Sequence, residues 1–127
     1  MAIKLRKISR TLPSNPSQSK WYLTQKSAGS VNIKDIAEEI VQRSSLSLGD
    51  VQSTLSNLVQ IMPTFLKLGQ SIRLEGFGTF RVTISSEGVD IPEELSVRHV
   101  RKAQISFLPS VELKQSLATV SFEIVAE

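Results

Sequence analysis

The hydrophobic periodicity of the chain changes at Gly69, and this change constrains the fold more than any other feature of the sequence. Between residues 33 and 66 apolar side chains recur at intervals of three and four, whereas between residues 71 and 85 they alternate with polar ones. The first pattern is typical of amphipathic helices and the second of half-buried strands. The sequence therefore predicts an α+β domain in which helices precede an antiparallel sheet.

Two helices are predicted before this point, and each has its own start signal. Asn32 can cap the first helix, and Asp35 follows three residues later, where a carboxylate suits the free N–H groups. Ser47 can cap the second helix, and Asp50 follows at the same spacing. The sequence therefore predicts a helical hairpin with a short link.

The second helix is predicted to end at Gly69 and to bend at Pro63, which cannot donate a hydrogen bond within the helix. Its apolar stripe is wide for a helix with a single partner, and it comprises Val51, Leu55, Leu58, Val59, Met62, Phe65 and Leu66. Two explanations stay open at this stage: an ordinary core, or a subunit interface.

Strands are predicted where apolar and polar residues alternate. A strand, a turn at Gly76-Phe77-Gly78 and a second strand fill residues 71–85, and residues 103–108 form a further strand before a short helix capped by Ser110. Outside this region we expect strands over 3–8, 21–25 and 120–124, with a loop over the Pro- and Ser-rich residues 11–17.

Charge is distributed unevenly along the chain. Residues 1–34 contain seven basic side chains and no acidic one, whereas residues 35–127 contain eight basic and twelve acidic side chains. The formal net charge of +3 therefore comes from a basic N-terminal segment that outweighs an acidic remainder. Such a segment is typical of a polyanion-binding surface, and a solvated flank without a ligand explains it equally well.

The 127-residue chain has no cysteine and one histidine, His99. Disulfide scaffolds, cysteine-based zinc sites and thiol chemistry are excluded, and a catalytic triad would have to use His99 alone. The carboxylate pairs Glu38-Glu39 and Glu93-Glu94 are adjacent in sequence, so they do not converge as an acid–base pair needs. We expect no enzymatic activity and no cofactor or metal.

No run of the sequence approaches the roughly 20 apolar residues that cross a bilayer. The N-terminal segment also lacks the apolar core of a signal peptide. These features predict a cytoplasmic protein without membrane contact. A chain of this length can form one domain with its own core.

The segment Ile72-Arg73-Leu74-Glu75-Gly76-Phe77-Gly78-Thr79-Phe80 follows the predicted helical hairpin. In this order of elements, and with Phe107-Leu108-Pro109 before the last helix, the chain resembles the HU/IHF family of bacterial histone-like DNA-binding proteins. The Gly-Phe-Gly element also has a physical role, because glycines permit a tight turn between antiparallel strands. It leads into a strand and not into a helix, so it is not a phosphate loop.

The resemblance implies an HU/IHF-like α+β fold with a helical hairpin, an antiparallel sheet with an arm and a short C-terminal helix. It also implies an intertwined homodimer, and the sequence agrees because a monomer would poorly cover Phe65, Leu66, Phe77 and Phe80. Residues 31–118 are predicted to form this core, 1–30 an N-terminal strand extension and 119–127 a C-terminal strand. The added strands are expected to pair with one another or with a partner subunit.

In the HU/IHF family the second and third strands extend into basic arms that enter the minor groove, with a proline wedge near the tip. The corresponding segment here, residues 85–102, lacks the family's Arg-Asn-Pro and contains several carboxylates around Pro92: Glu87, Asp90, Glu93 and Glu94. Phosphates would repel these carboxylates. The usual wedge is therefore not expected at this tip.

Two functions from different classes follow. The first is a nucleoid-associated, histone-like homodimer that binds and condenses duplex DNA largely without sequence preference, through phosphate contacts. Its predicted contact residues are Arg81, Arg98, Arg101, Lys102, Lys114, Lys4, Arg6, Lys7 and Arg10. The second is an HU-like protein-interaction or assembly module that has lost its DNA-binding arms and recruits a protein partner by edge-strand pairing.

Overall fold

The computed structural model describes residues 2–126 and divides the chain into two compact units. The terminal unit combines the two ends of the chain, up to Val31 and from Gln115 onwards, and the core unit contains Asn32–Lys114. The sequence places its boundaries after residues 30 and 118. Those domain boundaries stay a prediction.

The terminal unit contains a three-stranded sheet made of β1 (Ala2–Leu12), β2 (Asn15–Gln25) and β6 (Ser121–Ile124). β1 is the central strand, with β2 antiparallel on one side and β6 parallel on the other. The expected pairing of the three added strands with one another is therefore confirmed. In this register Ile3 lies beside Phe122 and Leu5 beside Ile124.

The β1–β2 hairpin is longer than the sequence predicts. Its turn contains only Pro13 and Ser14, so the predicted loop over 11–17 is wrong. Pro16 is compatible with β2 because this strand is at the edge of the sheet, where a missing N–H is tolerated. The Asn15 side chain helps to close the tip, since its Oδ1 accepts from the Ser17 hydroxyl at 2.7 Å.

The core unit begins with two helices, α1 (Ile33–Gln42) and α2 (Leu48–Lys67), which start as predicted. Asn32 Oδ1 accepts from the Asp35 N–H at 3.0 Å, and Asp35 Oδ2 accepts from the Asn32 N–H at 3.0 Å. This reciprocal pair is a capping box. Ser47 Oγ accepts from the Asp50 N–H at 3.2 Å at the start of α2.

α2 continues through Pro63 and ends just before Gly69. Gly69 has a positive φ of 80°, its N–H donates to the Leu66 carbonyl at 3.0 Å, and the Gln70 N–H donates to the Phe65 carbonyl at 3.2 Å. These two bonds form a Schellman motif, which stops the helix where the sequence predicts. The bend at Pro63 stays a prediction.

The helices lead into an antiparallel sheet of β3 (Ile72–Leu74), β4 (Gly78–Ser86) and β5 (Val100–Pro109), in that spatial order. A short helix, α3 (Val111–Leu117), follows β5, and the predicted cap is confirmed because Ser110 Oγ accepts from the Leu113 N–H at 3.1 Å. The ring centroids of Phe80 and Phe107 are 4.7 Å apart on adjacent strands.

The turn between β3 and β4 requires its two glycines for different reasons. Gly76 has a φ of 76°, which favours glycine. At Gly78 the reason is space: an added Cβ would lie 2.5 Å from the Leu108 carbonyl oxygen and 2.6 Å from the Phe107 ring. The Gly-Phe-Gly element therefore allows β4 and β5 to approach closely at this end of the sheet.

The segment that corresponds to the family's arm does not form an extended pair of strands. β4 and β5 are paired as far as Ser86 opposite Val100, with a register irregularity after Ser85, and the Glu87 N–H donates to the His99 carbonyl at 2.8 Å. The residues between them form a loop with two 3-10 turns, Pro92–Glu94 and Val97–His99. The acidic residues of the predicted arm therefore lie in a short loop, and the hydrogen bond between Glu87 and His99 closes its base.

Few side chains are buried. Among the described residues only Ala37, Val51 and Leu66 are buried apolar side chains, whereas Phe65 is 46% and Phe77 45% exposed. The expectation of poor coverage is thus correct for Phe65 and Phe77 and wrong for Leu66, and Phe80 is half-buried. Leu66 is only 7% exposed, and with Val51 it forms the buried part of α2.

The close approach at Gly78 generates a stability prediction. Gly78→Ala places a methyl group against the Leu108 backbone and the Phe107 ring, and this overpacking should lower the free energy of unfolding by about 1–3 kcal/mol. Gly49→Ala is the control, because Gly49 lies in the first turn of α2 with nothing within 4 Å of an added Cβ. Urea unfolding at a fixed protein concentration measures both; equal stability of the two variants would contradict the prediction.

Candidate nucleic-acid interface

The sheet of the core unit has one polar face and one apolar face, which follow from the alternation of β4 and its register with β3 and β5. Cross-strand partners in an antiparallel pair share a face. The polar face, called here the core polar face, comprises Arg73, Thr79, Arg81, Thr83, Ser85, Lys102, Gln104 and Ser106, together with one exposed apolar residue, Leu108, opposite Thr79. All of its charged residues in the paired register are basic.

Arg73, Arg81 and Lys102 occupy different strands of the core polar face, and all three are exposed. Arg73 is opposite Thr79, two residues from Arg81, so these two arginines are diagonal neighbours with Cβ atoms about 7–8 Å apart. Lys102 is opposite Ser85, four residues further along β4. The face thus presents three cations among hydroxyl and amide groups, which suits a row of anionic oxygens.

Two predicted contact residues of the core, Arg81 and Lys102, are therefore brought to one face of the sheet. Arg101 lies at the irregularity beside Lys102, where two residues of β5 face one of β4. Arg98 is in the second 3-10 turn and Lys114 is in α3. The register does not place these last three on the core polar face, and their role as contacts stays a prediction.

The sheet of the terminal unit also separates its side chains. One face, called here the terminal basic face, carries Lys4, Arg6, Arg10 and Lys20, together with Ile8, Tyr22 and Thr24 and one acidic residue, Glu123, opposite Lys4. The other face carries Ile3, Leu5, Trp21, Leu23, Phe122 and Ile124. Lys7 is on this second face, opposite Leu23, so the register separates it from the three other predicted N-terminal contacts.

Two basic residues of these faces are absent from the sequence-based set of contacts. Arg73 follows from the alternation of Ile72, Arg73 and Leu74, which points the arginine away from its two apolar neighbours. Lys20 precedes the strand predicted over 21–25, but in the structure β2 already begins at Asn15. Only the register with Arg10 places Lys20 on the terminal basic face.

The loop between β4 and β5 carries the opposite charge. Glu93 and Glu94 are in its first 3-10 turn, and Glu87 and Asp90 precede that turn. His99 has a local role here, since its Nδ1 accepts from the Ser96 N–H at 3.0 Å and closes the second turn. Carboxylates at this place disfavour contact with phosphates.

Over residues 2–126 there is no helix long and apolar enough to span a membrane. Within the same range the structure shows no cluster of three or more His, Cys, Asp or Glu side chains that would hold a metal ion.

Two capped helices, a three-stranded antiparallel sheet and a short terminal helix define an HU-type domain, and comparison with known proteins agrees. A family model described as an HU domain fused to a wHTH, Ig or glycine-rich motif matches residues 1–124. The chain belongs to this family, HU-HIG. A comparison with curated protein sequences gives no match.

Two solved structures resemble the fold. One is a protein of Bacteroides vulgatus ATCC 8482, provisionally described as a bacterial DNA-binding protein, with a TM-score of 0.67 and 10% identity over 99% of this chain. The chain spans about half of that protein, 49% of its length. The other is Anabaena HU in a cocrystal with DNA, with a TM-score of 0.55 and 13% identity over 70% of this chain and 99% of that one.

Proposed function

We propose that this chain is a DNA-binding architectural protein of the nucleoid type, which holds duplex DNA as a homodimer through contacts to backbone phosphates. The observation that carries the proposal is the core polar face, where Arg73, Arg81 and Lys102 are exposed on one side of a sheet without a carboxylate in the paired register. Membership of an HU-domain family and the similarity to an HU fold crystallised with DNA support it.

The chemistry of the core polar face favours phosphate contacts over base recognition. Its uncharged members are Thr79, Thr83, Ser85, Gln104, Ser106 and Leu108. Four of these six are Thr or Ser, whose short side chains extend little beyond the sheet. Phosphate contacts fix the position of a protein on the duplex and carry no sequence information. Binding is therefore largely independent of sequence in this proposal.

The short loop between β4 and β5 bears on how the DNA is held. Proteins that kink DNA insert an apolar or proline wedge between base steps from an arm in the minor groove. Pro92 lies at the start of a 3-10 turn beside Glu93 and Glu94, within a loop closed by the hydrogen bond between Glu87 and His99. The proposal therefore includes phosphate contacts without a wedge at Pro92.

Homodimer formation is part of the proposal because one chain leaves too much surface uncovered. The chain exposes 10706 Å², whereas two compact units with one third and two thirds of its mass would expose about 8,000 Å² in total. The excess is about 2,700 Å² for one chain and about 5,400 Å² for two, which is the size of the largest obligate interfaces, about 5,000 Å² or more over both partners.

Two regular elements of the core unit expose rows of apolar side chains. Leu58, Ile61 and Phe65 of α2 and Leu68 directly after it recur at intervals of three and four and so share one side of the helix, and Val59 is exposed beside them. On the apolar face of the sheet the exposed side chains are Ile84, Ile105 and Phe107. A second copy that covers both rows would complete the hydrophobic core, which in one chain contains few buried side chains.

A second candidate function is a protein-interaction module, and the acidic loop is the observation that favours it. Basic arms are replaced by a loop with four carboxylates, and β2 offers an 11-residue edge strand for pairing with another protein. Affinity capture with and without nuclease separates the two functions. A protein partner that stays bound after the nucleic acid is digested favours the module, and loss of all captured material favours the DNA-binding protein.

DNA binding should be tested by titration of a duplex of arbitrary sequence at several salt concentrations. We expect a dissociation constant below about 0.1 mM at low salt, and a logarithm of the binding constant that falls linearly with the logarithm of salt concentration. Arg73→Gln and Arg81→Gln should each reduce the slope by about 0.9 for each phosphate that the variant no longer neutralises. Weaker binding by the unmodified protein, or a slope of zero, would reject the proposal.

The dimer should be tested by sedimentation equilibrium. We expect twice the chain mass of 14.0 kDa for the unmodified protein. Phe65→Glu should shift the population towards monomer and lower stability, because it places a charge in the apolar row of α2. Gln60→Glu is the matched control, since Gln60 is exposed on the same helix outside that row. A folded, stable monomer of the unmodified protein would contradict the prediction.

A further inference from the structure

The terminal basic face concentrates positive charge that the sequence distributes along a whole segment. The terminal unit contains six basic and two acidic residues, whereas the core unit contains nine basic and ten acidic residues. Four of the six basic residues, Lys4, Arg6, Arg10 and Lys20, are on the same side of the terminal sheet. The positive net charge of the chain is therefore largely a property of one face of one sheet.

The cross-strand neighbours on this face leave the charge largely uncompensated. Arg10 is directly opposite Lys20, and Arg6 is opposite Thr24. Like charges directly opposite one another destabilise a sheet. Only Lys4 has an acidic neighbour in the described register, Glu123 on β6. An anion bound between Arg10 and Lys20 would remove their repulsion, so the arrangement favours an anionic ligand.

The spacing of these cations suits an extended anion. Alternate residues of a strand are about 7 Å apart, so Arg6 and Arg10, four residues apart on β1, lie about 14 Å from one another. A single phosphate cannot bridge that distance, whereas duplex DNA carries one charge for about every 3.4 Å of each strand. The length of the face therefore indicates a polymer of phosphates.

Tyr22 indicates that the ligand's phosphates, and not its bases, meet this face. The guanidinium of Arg10 lies over the Tyr22 ring, 5.9 Å from its centroid, in a cation–π contact. The arginine lies over one side of the ring, so an unpaired base that stacked there would have to displace it, and the contact favours a guanidinium position above Tyr22. Single-strand binding proteins instead leave their aromatic faces open to bases.

The opposite face of the terminal sheet keeps the basic face accessible. It carries large exposed apolar side chains, with Trp21 72%, Phe122 62% and Ile124 54% exposed. On the other side of the sheet Arg6, Arg10 and Lys20 are exposed to solvent. The sheet is therefore built with one side for burial and one for a charged ligand.

We propose that the terminal basic face is a second contact surface for the phosphates of duplex DNA, formed by Arg6, Arg10 and Lys20, with Tyr22 positioning Arg10. The inference rests on the proposed function of the chain as a DNA-binding protein and adds a surface outside the HU-type core. It excludes Lys7, although this residue adjoins Arg6 in sequence, because Lys7 is on the other face of β1.

The test compares the salt dependence of duplex binding by the full chain and three variants. The first replaces Arg6, Arg10 and Lys20 by Gln, the second replaces Arg73, Arg81 and Lys102 by Gln, and the third is Lys7→Gln. The first variant should lower the slope by about 0.9 and the affinity by roughly tenfold at 50 mM salt for each phosphate that is no longer neutralised. Lys7→Gln should leave both unchanged, whereas Arg6→Gln alone should lower both.

The outcomes separate this inference from the proposed function. If the unmodified protein and the first variant bind with the same slope while the second variant loses affinity, the inference is wrong and the proposed function stands. If Lys7→Gln costs as much as Arg6→Gln, total charge and not this face determines binding, and the inference is again wrong. Absence of any binding by the unmodified protein overturns both, and tighter binding of a single strand than of the duplex overturns the choice of ligand.

Lys20→Glu gives a readout that a purely structural role of Lys20 would not produce. The substitution places opposite charges in the cross-strand pair with Arg10, so the midpoint of thermal unfolding should rise. Duplex affinity should fall by at least tenfold at 50 mM salt, because a cation is removed and a repulsive charge takes its place. A variant that is more stable and binds equally well would show that Lys20 does not meet the phosphates.

Discussion

A single copy of this chain buries very little apolar surface, and the rest of the structure depends on that constraint. Ala37, Val51 and Leu66 are the buried apolar side chains of the described residues. Ordering a residue costs about 1.5 kcal/mol of conformational entropy, which burial of apolar area at about 25 cal/mol per Å² must offset. Three buried side chains supply a small part of this, and the exposed apolar side chains of α2 and of both sheets are the reason that the proposed function includes a second copy of the chain.

The elements whose ends are set by local hydrogen bonds can be predicted from the sequence. Asn32, Ser47 and Ser110 cap helices in the structure as their spacing to the following residues predicts, and Gly69 ends α2. Each of these signals involves groups within five residues of one another, so no distant part of the chain decides the outcome. The helical hairpin and the strand-turn-strand at Gly76 are predictable for this reason.

Elements that depend on distant pairing can be predicted only in part. Alternation identifies residues 121–124 as a strand, but nothing local specifies that it pairs in parallel with β1. The sequence predicts too wide a turn around Pro13 and Ser14, because Pro16 and the neighbouring serines are typical of loops. An edge strand accepts such residues, and only the pairing with β1 shows that β2 is one.

The candidate contact residues show the same division. Residue type and charge density select the basic segment, but register decides which side chains act together. Arg6 and Lys7 are equivalent by charge and adjacent in sequence, yet they are on opposite faces of β1, whereas Lys20 joins Arg10 from another strand. The sequence-based set therefore contains Arg81 and Lys102, which the register makes neighbours on one face, and lacks Arg73 and Lys20.

The positions of the charged residues also bear on the kind of DNA contact in the proposed function, because the loop between β4 and β5 is acidic and the sheet faces are basic. A wedge at the tip of an arm unstacks two base pairs, which costs free energy, and so bends the duplex. Cations around the wedge are needed to hold the adjacent phosphates. Here the carboxylates are in the loop with Pro92, and the cations are on the faces of two sheets. Flat faces of this kind gain their affinity by releasing counterions and leave the bases stacked. In the proposed function the chain therefore holds DNA without reading or opening it, and its affinity depends on the number of cations that reach the backbone together.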